Sequence, residues 1–205
     1  MFIRRTDEEM KYLGKVLITV IAGAMSLTAQ TTTPPPNTNS PKIDQREVNQ
    51  QKRIGNGVEN GSLTARETSR LEKQEAGINK EESKMKSDGN FTAAERARIT
   101  RQQNAMSRRI YAQKHDAQHQ AAARNEVSAR QRLQQERIGQ GIKSGSLTAG
   151  ETAKLEHNEA KLNREVRHDR ASGGGLSADE KAKINAQQNK MSKRIYAKKH
   201  NARAR

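Results

Sequence analysis

The chain carries one stretch twice: QQNAMSRRIYAQKH at residues 102–115 and QQNKMSKRIYAKKH at residues 187–200. Its apolar positions are sparse but helical in phase. Ile99, Met106 and Ile110 are spaced seven and four apart, and Ile184, Met191 and Ile195 repeat them. Such spacing gathers a narrow apolar stripe on one side of an α-helix. No strand-like alternation competes with it, so an all-α fold is predicted.

Working outward, each copy closes a longer unit. RIGNGVENGSLTARETSRLEKQEAGINKE starts at Arg53, and RIGQGIKSGSLTAGETAKLEHNEAKLNRE starts at Arg137, a shift of 84. The shift becomes 85 after the central turn, as from Tyr111 to Tyr196, because one residue is inserted within 172–175. A repeat this long is a small subdomain rather than a solenoid module of ~20–50 residues. Inside each unit a shorter theme recurs as SLTARE, NFTAAE, SLTAGE and LSADE. Thr64, Thr92, Thr148 and Ser177 are placed to cap the N–H three residues on, and Glu67, Glu95, Glu151 and Glu180 to reach back to the cap. Gly61, Gly89, Gly145 and Gly175 punctuate the turns before them. The segments that follow are rich in good helix formers, with Leu71, Ile78 and Met85 at intervals of seven, as are Leu155 and Leu162.

The expected architecture is two tandem units of capped antiparallel helical hairpins around a thin apolar seam, at 42–116 and 127–205. Neither Pro nor Gly occurs between Ala93 and Ile138. The helix of the first copy therefore either runs on as a connecting helix over 117–126 or breaks near His115 and Asp116.

Composition sets the remaining bounds. Arg4, Arg5, Lys11 and Lys15 precede an apolar run at 16–27, too short to span a bilayer, and small residues follow. Residues 1–29 thus read as a signal peptide, with cleavage after Ser26 or Ala29, and the expected location is periplasmic or extracellular. Residues 30–41, QTTTPPPNTNSP, read as an extended linker. There is no Cys, which excludes disulfides, thiol catalysis and Cys-based zinc sites. From residue 30 onward Ile, Leu, Val and Phe total only 21, so a large buried core is excluded. The net charge of +16 attracts polyanions of any kind. The expected partner is an anionic surface or polymer, or another envelope protein. Phe91, Tyr111 and Tyr196 are the only aromatics after the leader, which argues against specific nucleic-acid binding.

Candidate sites are few. The helical spacing of the doubled stretch draws Asn104, Ser107, Tyr111 and Lys114 or His115 towards one face; Asn189, Ser192, Tyr196 and Lys199 or His200 repeat the pattern. One reading makes this a polar recognition face with basic flanks such as Arg108 and Lys193. The other, favoured by the sequence, lets Tyr and Met finish the seam while Asn and Ser hydrogen-bond across it. His115 and His119 lie four apart and would share a helical face, but the second copy has Ala204 where His119 falls. No phosphate loop, nucleophile elbow or paired-carboxylate setting stands out, and a chain without a sizeable core has little means of tuning pKa values by burial. The expectation is a protein that is not an enzyme and holds no cofactor.

Two resemblances follow from these residues. The Gly–apolar–Thr–x–x–Glu spacing resembles the second half of an EF-hand loop, which would make Asp169 the first ligand and Glu180 the last, or Asn56 the first and Glu67 the last. It implies a degenerate calcium-responsive module as the alternative function, with too few carboxylates for firm calcium binding. The capping boxes with the closing IYAQKH and IYAKKH are similar to a group of uncharacterised exported bacterial proteins with RQQN…S…IY…KHN endings. That resemblance covers most of residues 46–201 and implies a small exported helical-repeat protein that binds or scaffolds at the envelope. It brings no activity with it.

Overall fold

The computed structural model describes residues 37–120, 125–172 and 174–202. Among these residues six helices follow one another: α1 (Pro41–Glu59), α2 (Ala65–Met85), α3 (Ala93–Lys114), α4 (Glu126–Ser144), α5 (Ala149–Ser172) and α6 (Ala178–Lys199). A single 3-10 turn, Lys86–Asp88, lies between α2 and α3. Among the described residues there is no strand, only an isolated bridge from Asn37 to Asn90. The all-α expectation therefore holds. The predicted signal peptide and residues 30–36 of the linker lie outside the described residues. Among those described, no helix is long and apolar enough to cross a membrane.

Every predicted helix start forms its capping box. Thr64, Thr92 and Ser177 accept from the backbones of Glu67, Glu95 and Glu180, whose carboxylates accept in return from the cap N–H groups. Thr148 and Glu151 exchange the same pair of bonds at 3.3 Å each. Gly61, Gly89 and Gly145 hold positive φ at the preceding turns, the region where a Cβ is penalised.

Each repeat is a three-helix unit rather than a hairpin, because α1 and α4 pack on the predicted pairs. Contacts set the helix directions. Gln51 Nε2 donates to Glu72 at 3.1 Å and Asn79 Nδ2 to Glu47 at 2.7 Å, so α1 and α2 run antiparallel. Gln50 Nε2 donates to the Gln103 carbonyl at 2.6 Å, and Arg53 to Ser107 Oγ at 2.9 Å, so α1 and α3 run parallel. The second repeat copies these bonds, with Gln135 to Glu156 at 3.0 Å, Gln134 to the Gln188 carbonyl at 2.7 Å and Arg137 to Ser192 at 3.1 Å. A scarcity of large apolar residues is thus met by buried glutamines that tie neighbouring backbones together.

The predicted stripes are buried: Leu71, Ile78, Ile99, Met106 and Ile110 in one repeat, Leu155, Leu162, Ile184, Met191 and Ile195 in the other. One apolar cluster runs through both repeats, joining Ile54, Val58 and Leu63 to Ile138, Ile142 and Leu147. The repeats are therefore packed on each other, α1 against α4 and α2 against α5.

Of the two readings of the junction, the break near His115 and Asp116 is the one observed, and the connecting helix over 117–126 is not formed where described. α3 ends at Lys114, residues 115–120 are non-helical, and α4 starts at Glu126 behind the N-cap Asn125. Asp116 Oδ1 takes the Gln118 N–H at 2.8 Å, and Gln120 binds the Gly61 carbonyl through its N–H at 2.9 Å and the Leu63 carbonyl through its side chain at 3.1 Å. These bonds replace the helical ones. The predicted tether also needs correction at its end. Asn37 and Asn39 give their carbonyls to Arg96, Ser40 is buried, and Pro41 already belongs to α1, at a position where a missing N–H costs nothing.

Candidate recognition faces on the outer helices

The doubled stretch is divided by the fold. Ser107 and Ser192 are half-buried and face the first helices: Ser107 Oγ takes Gln50 at 2.8 Å and Arg53, and Ser192 Oγ takes Gln134 at 2.9 Å and Arg137. Asn104 and Asn189 accept from Arg46 and Arg130 on the neighbouring first helices. Lys114 and Lys199 are half-buried shoulders, and the stem of Lys199 lies near Gly141. The tyrosines do not finish the seam. Tyr111 and Tyr196 are 64% and 65% exposed, whereas Met106 and Met191 are buried. The seam reading therefore holds for Met, Ser and the Asn bonds and is corrected for Tyr.

Each tyrosine is pre-arranged. His115 stacks on Tyr111 with ring centroids 4.1 Å apart, and its Nδ1 lies 2.7 Å from the Tyr111 carbonyl. His200 and Tyr196 repeat the stack at 4.1 Å and the bond at 2.8 Å. The i, i+4 spacing puts one ring over the other, and the backbone bond holds the imidazole as the helix ends. His119 lies past the helix end, so it does not share a helical face with His115.

The spacing explains the partition. At 3.6 residues per turn, Asn104, Arg108, Tyr111 and His115 fall within a sector of about 60°, while Ser107 and Lys114 sit on the shoulder towards the buried stripe. Arg108 and Lys193, expected only as flanks, are exposed members of the outward faces. A finer helical projection of the sequence contains this signal.

Charge is distributed to match. α3 has six Arg and Lys against one Glu, and α6 has seven against two acids; α2 and α5 each balance five with five. α3 packs on α1 and α2 and α6 on α4 and α5, so the basic helices are the ones that do not form the joint between repeats. An open groove of about 590 Å³ between α2 and α3 is edged by Arg70, Lys73 and Arg109 over Leu71. A second groove, between α5 and α6 but about two turns away from the place equivalent to the first, is edged by Lys161, Lys190 and Arg194 over Leu162 and Met191.

The box glutamates are already engaged. Glu180 is held below its ordinary pKa by bonds from the backbone and hydroxyl of Ser177. At Glu151, burial works against the charge, but bonds from Asn201, Thr148 and Lys198 outweigh it and lower the pKa. Asn201 Nδ2 donates to Glu151 at 2.7 Å, which Asp116, at the same place in the first copy, cannot do for Glu67. The four box glutamates thus serve their helix ends. Asn56 and Val58 lie inside α1 and Asp169 inside α5, so neither EF-hand-like stretch has the loop that its resemblance implies. Among the described residues, no group of three or more His, Cys, Asp or Glu is placed to hold a metal ion.

The expectation that a thin core has little means of tuning pKa values by burial is overturned. Glu72, Glu75, Glu156 and Glu159 are all fully buried where α2 meets α5. Burial pushes Glu159 up to about 8 against the pull of Arg137, and pushes Glu156 well up against the Gln135 amide, with Glu159 and Glu72 adding to the rise. These carboxyls lie inside the joint, away from the outward faces.

Comparison with family models, with curated proteins and with solved structures finds no match to this chain.

Proposed function

We propose that this is a non-enzymatic, exported helical binding or scaffolding protein of a bacterial envelope, which holds anionic polymers or surfaces against the outward faces of α3 and α6. The observation that carries the reading is the exposed, duplicated Tyr–His stack: Tyr111 on His115 beside Arg108, and Tyr196 on His200 beside Lys193. In each repeat a large ring is left two-thirds exposed, open to a partner. A ring with cations beside it offers an apolar plate and positive charge together, which suits a polymer with acid groups along an otherwise apolar or sugar-like backbone. Export rests on the leader.

Heparin serves as a probe polyanion. Retention is expected to fall steeply as salt rises, since several cations each release counterions. The Tyr111→Ala/Tyr196→Ala chain is expected to keep its helical circular dichroism and to bind roughly fivefold more weakly per ring, about 1 kcal/mol. Absence of retention, or retention indifferent to salt, removes the electrostatic reading. A variant that unfolds returns the tyrosines to the seam.

A further inference from the structure

The two repeats meet through positions that are copies of one another. With a shift of 84, Gly55 corresponds to Gly139, Glu59 to Lys143, Ser69 to Ala153 and Glu72 to Glu156. Each of these pairs is also a close approach in space. A Cβ on Gly55 would lie 2.9 Å from the Gly139 carbonyl oxygen, and a Cβ on Gly139 would lie 2.9 Å from that of Gly55. Lys143 Nζ is 2.5 Å from Glu59 Oε2. Ser69 Oγ donates to the Ala153 carbonyl at 3.0 Å. Glu72 raises the pKa of Glu156 by direct repulsion. A residue that touches its own counterpart lies on a two-fold axis, and an interface built around such an axis is self-complementary.

We infer that the α1–α2 and α4–α5 faces form an isologous surface that accepts a second copy of this chain by exchange, the first repeat of one molecule pairing with the second repeat of another. The contacts in the exchanged dimer are those already made within one chain. The axis also holds the element that decides which repeats pair. A first repeat against another first repeat sets Glu59 against Glu59, and two second repeats set Lys143 against Lys143; only a first with a second joins opposite charges at the glycine crossing. Duplication with one charge reversed thus turns a like-with-like surface into a first-with-second one.

The chain has no Cys, which permits a direct test on the full-length protein. A Ser69→Cys chain and an Ala153→Cys chain are unfolded together, refolded and oxidised. Their thiols meet only in an exchanged dimer, which runs at twice the chain mass on a non-reducing gel. The Ser69→Cys/Ala153→Cys double variant is expected to close its bond within one chain, and a Ser87→Cys chain, substituted on an exposed turn, sets the level of random collision. Adding Glu59→Lys to the first chain and Lys143→Glu to the second makes each repel itself and attract the other. The cross-linked fraction is then expected to rise at least severalfold over the unmodified pair. The inference is overturned if cross-linking stays at the collision level in both pairs while the double variant closes, or if the charge exchange leaves the fraction unchanged. Failure of the double variant to close overturns the axis itself.

Discussion

Three glycines of superficially similar kind have opposite roles. Gly57, within α1, faces Leu63, whose backbone N–H turns back to the Gly57 carbonyl at 2.9 Å; a Cβ there would lie 2.7 Å from Leu63 Cδ1 and Cγ. Gly141 stands in the same relation to Leu147, with a 3.0 Å bond and a 2.6 Å approach. Since Leu63 and Leu147 are fully buried, the clash cannot be relieved by swinging outward. Gly77, on the exposed side of α2, would meet nothing within 4 Å. Gly57→Ala is therefore expected to lower stability by about 1–3 kcal/mol through overpacking. Gly77→Ala should raise it by up to about 1 kcal/mol through helix propensity. Urea melts of both variants check the opposite signs. The paired glycines of RIGNG and RIGQG were visible in the sequence, but their two tasks were not. One lets helices from different repeats touch, and the other lets a leucine fold back on its own helix.

At the scale of elements, four helix starts were legible, while the end of α3 stayed between two readings. A capping box is local: Ser177 and Glu180 satisfy two N–H groups within four residues, so sequence alone specifies it. Ser177→Ala is expected to cost about 1 kcal/mol, and hydrogen exchange should show faster opening confined to the first turn of α6. The break after Lys114 depends on distant partners. With no Gly or Pro to stop it, the segment leaves the helix because Gln120 reaches the Gly61 turn and also donates to Gln135 at 2.9 Å. A fifth box, Asn125 with Ser128, then restarts the helix as α4. Its Ser takes the place of the usual Glu, which is why the sequence pattern passed over it. In α3 and α6 the buried stripe was read correctly from Ile and Met. A four-residue step turns the helix by about 40°, enough to leave Ser107 against α1 and carry Tyr111 into solvent.

The whole molecule couples stability to pH through the joint between repeats. Glu159 titrates near 8 when folded, against an ordinary value of 4.5, because it is buried with only Arg137 to offset the cost; Glu156, Glu72 and Glu75 share the site. The folded chain therefore holds protons that the unfolded chain has released across this window, so stability falls as pH rises from about 4.5 to 8. At about 1.4 kcal/mol per pKa unit, Glu159 alone accounts for a loss of a few kcal/mol at the alkaline end. Melting temperature is expected to be highest in mild acid and to fall towards pH 8. Glu159→Gln, which keeps the shape without the charge, should raise it at pH 8 and flatten the profile. An unchanged slope would place the proton release elsewhere.

Sequence by itself determined the helical class, the two copies, four helix starts and the apolar stripes, because each depends on residues a turn or two apart along one chain. Capping reciprocity and a period near 3.6 are local physics, and duplication displays them twice. Tertiary structure decided the rest. It set the third helix of each unit, the break before α4, the burial of Glu72, Glu75, Glu156 and Glu159 and the contact of each axial residue with its own counterpart 84 positions away. It also paired α3 with α1 and α6 with α4, through glutamine and serine bonds between residues far apart in the chain that no local pattern encodes.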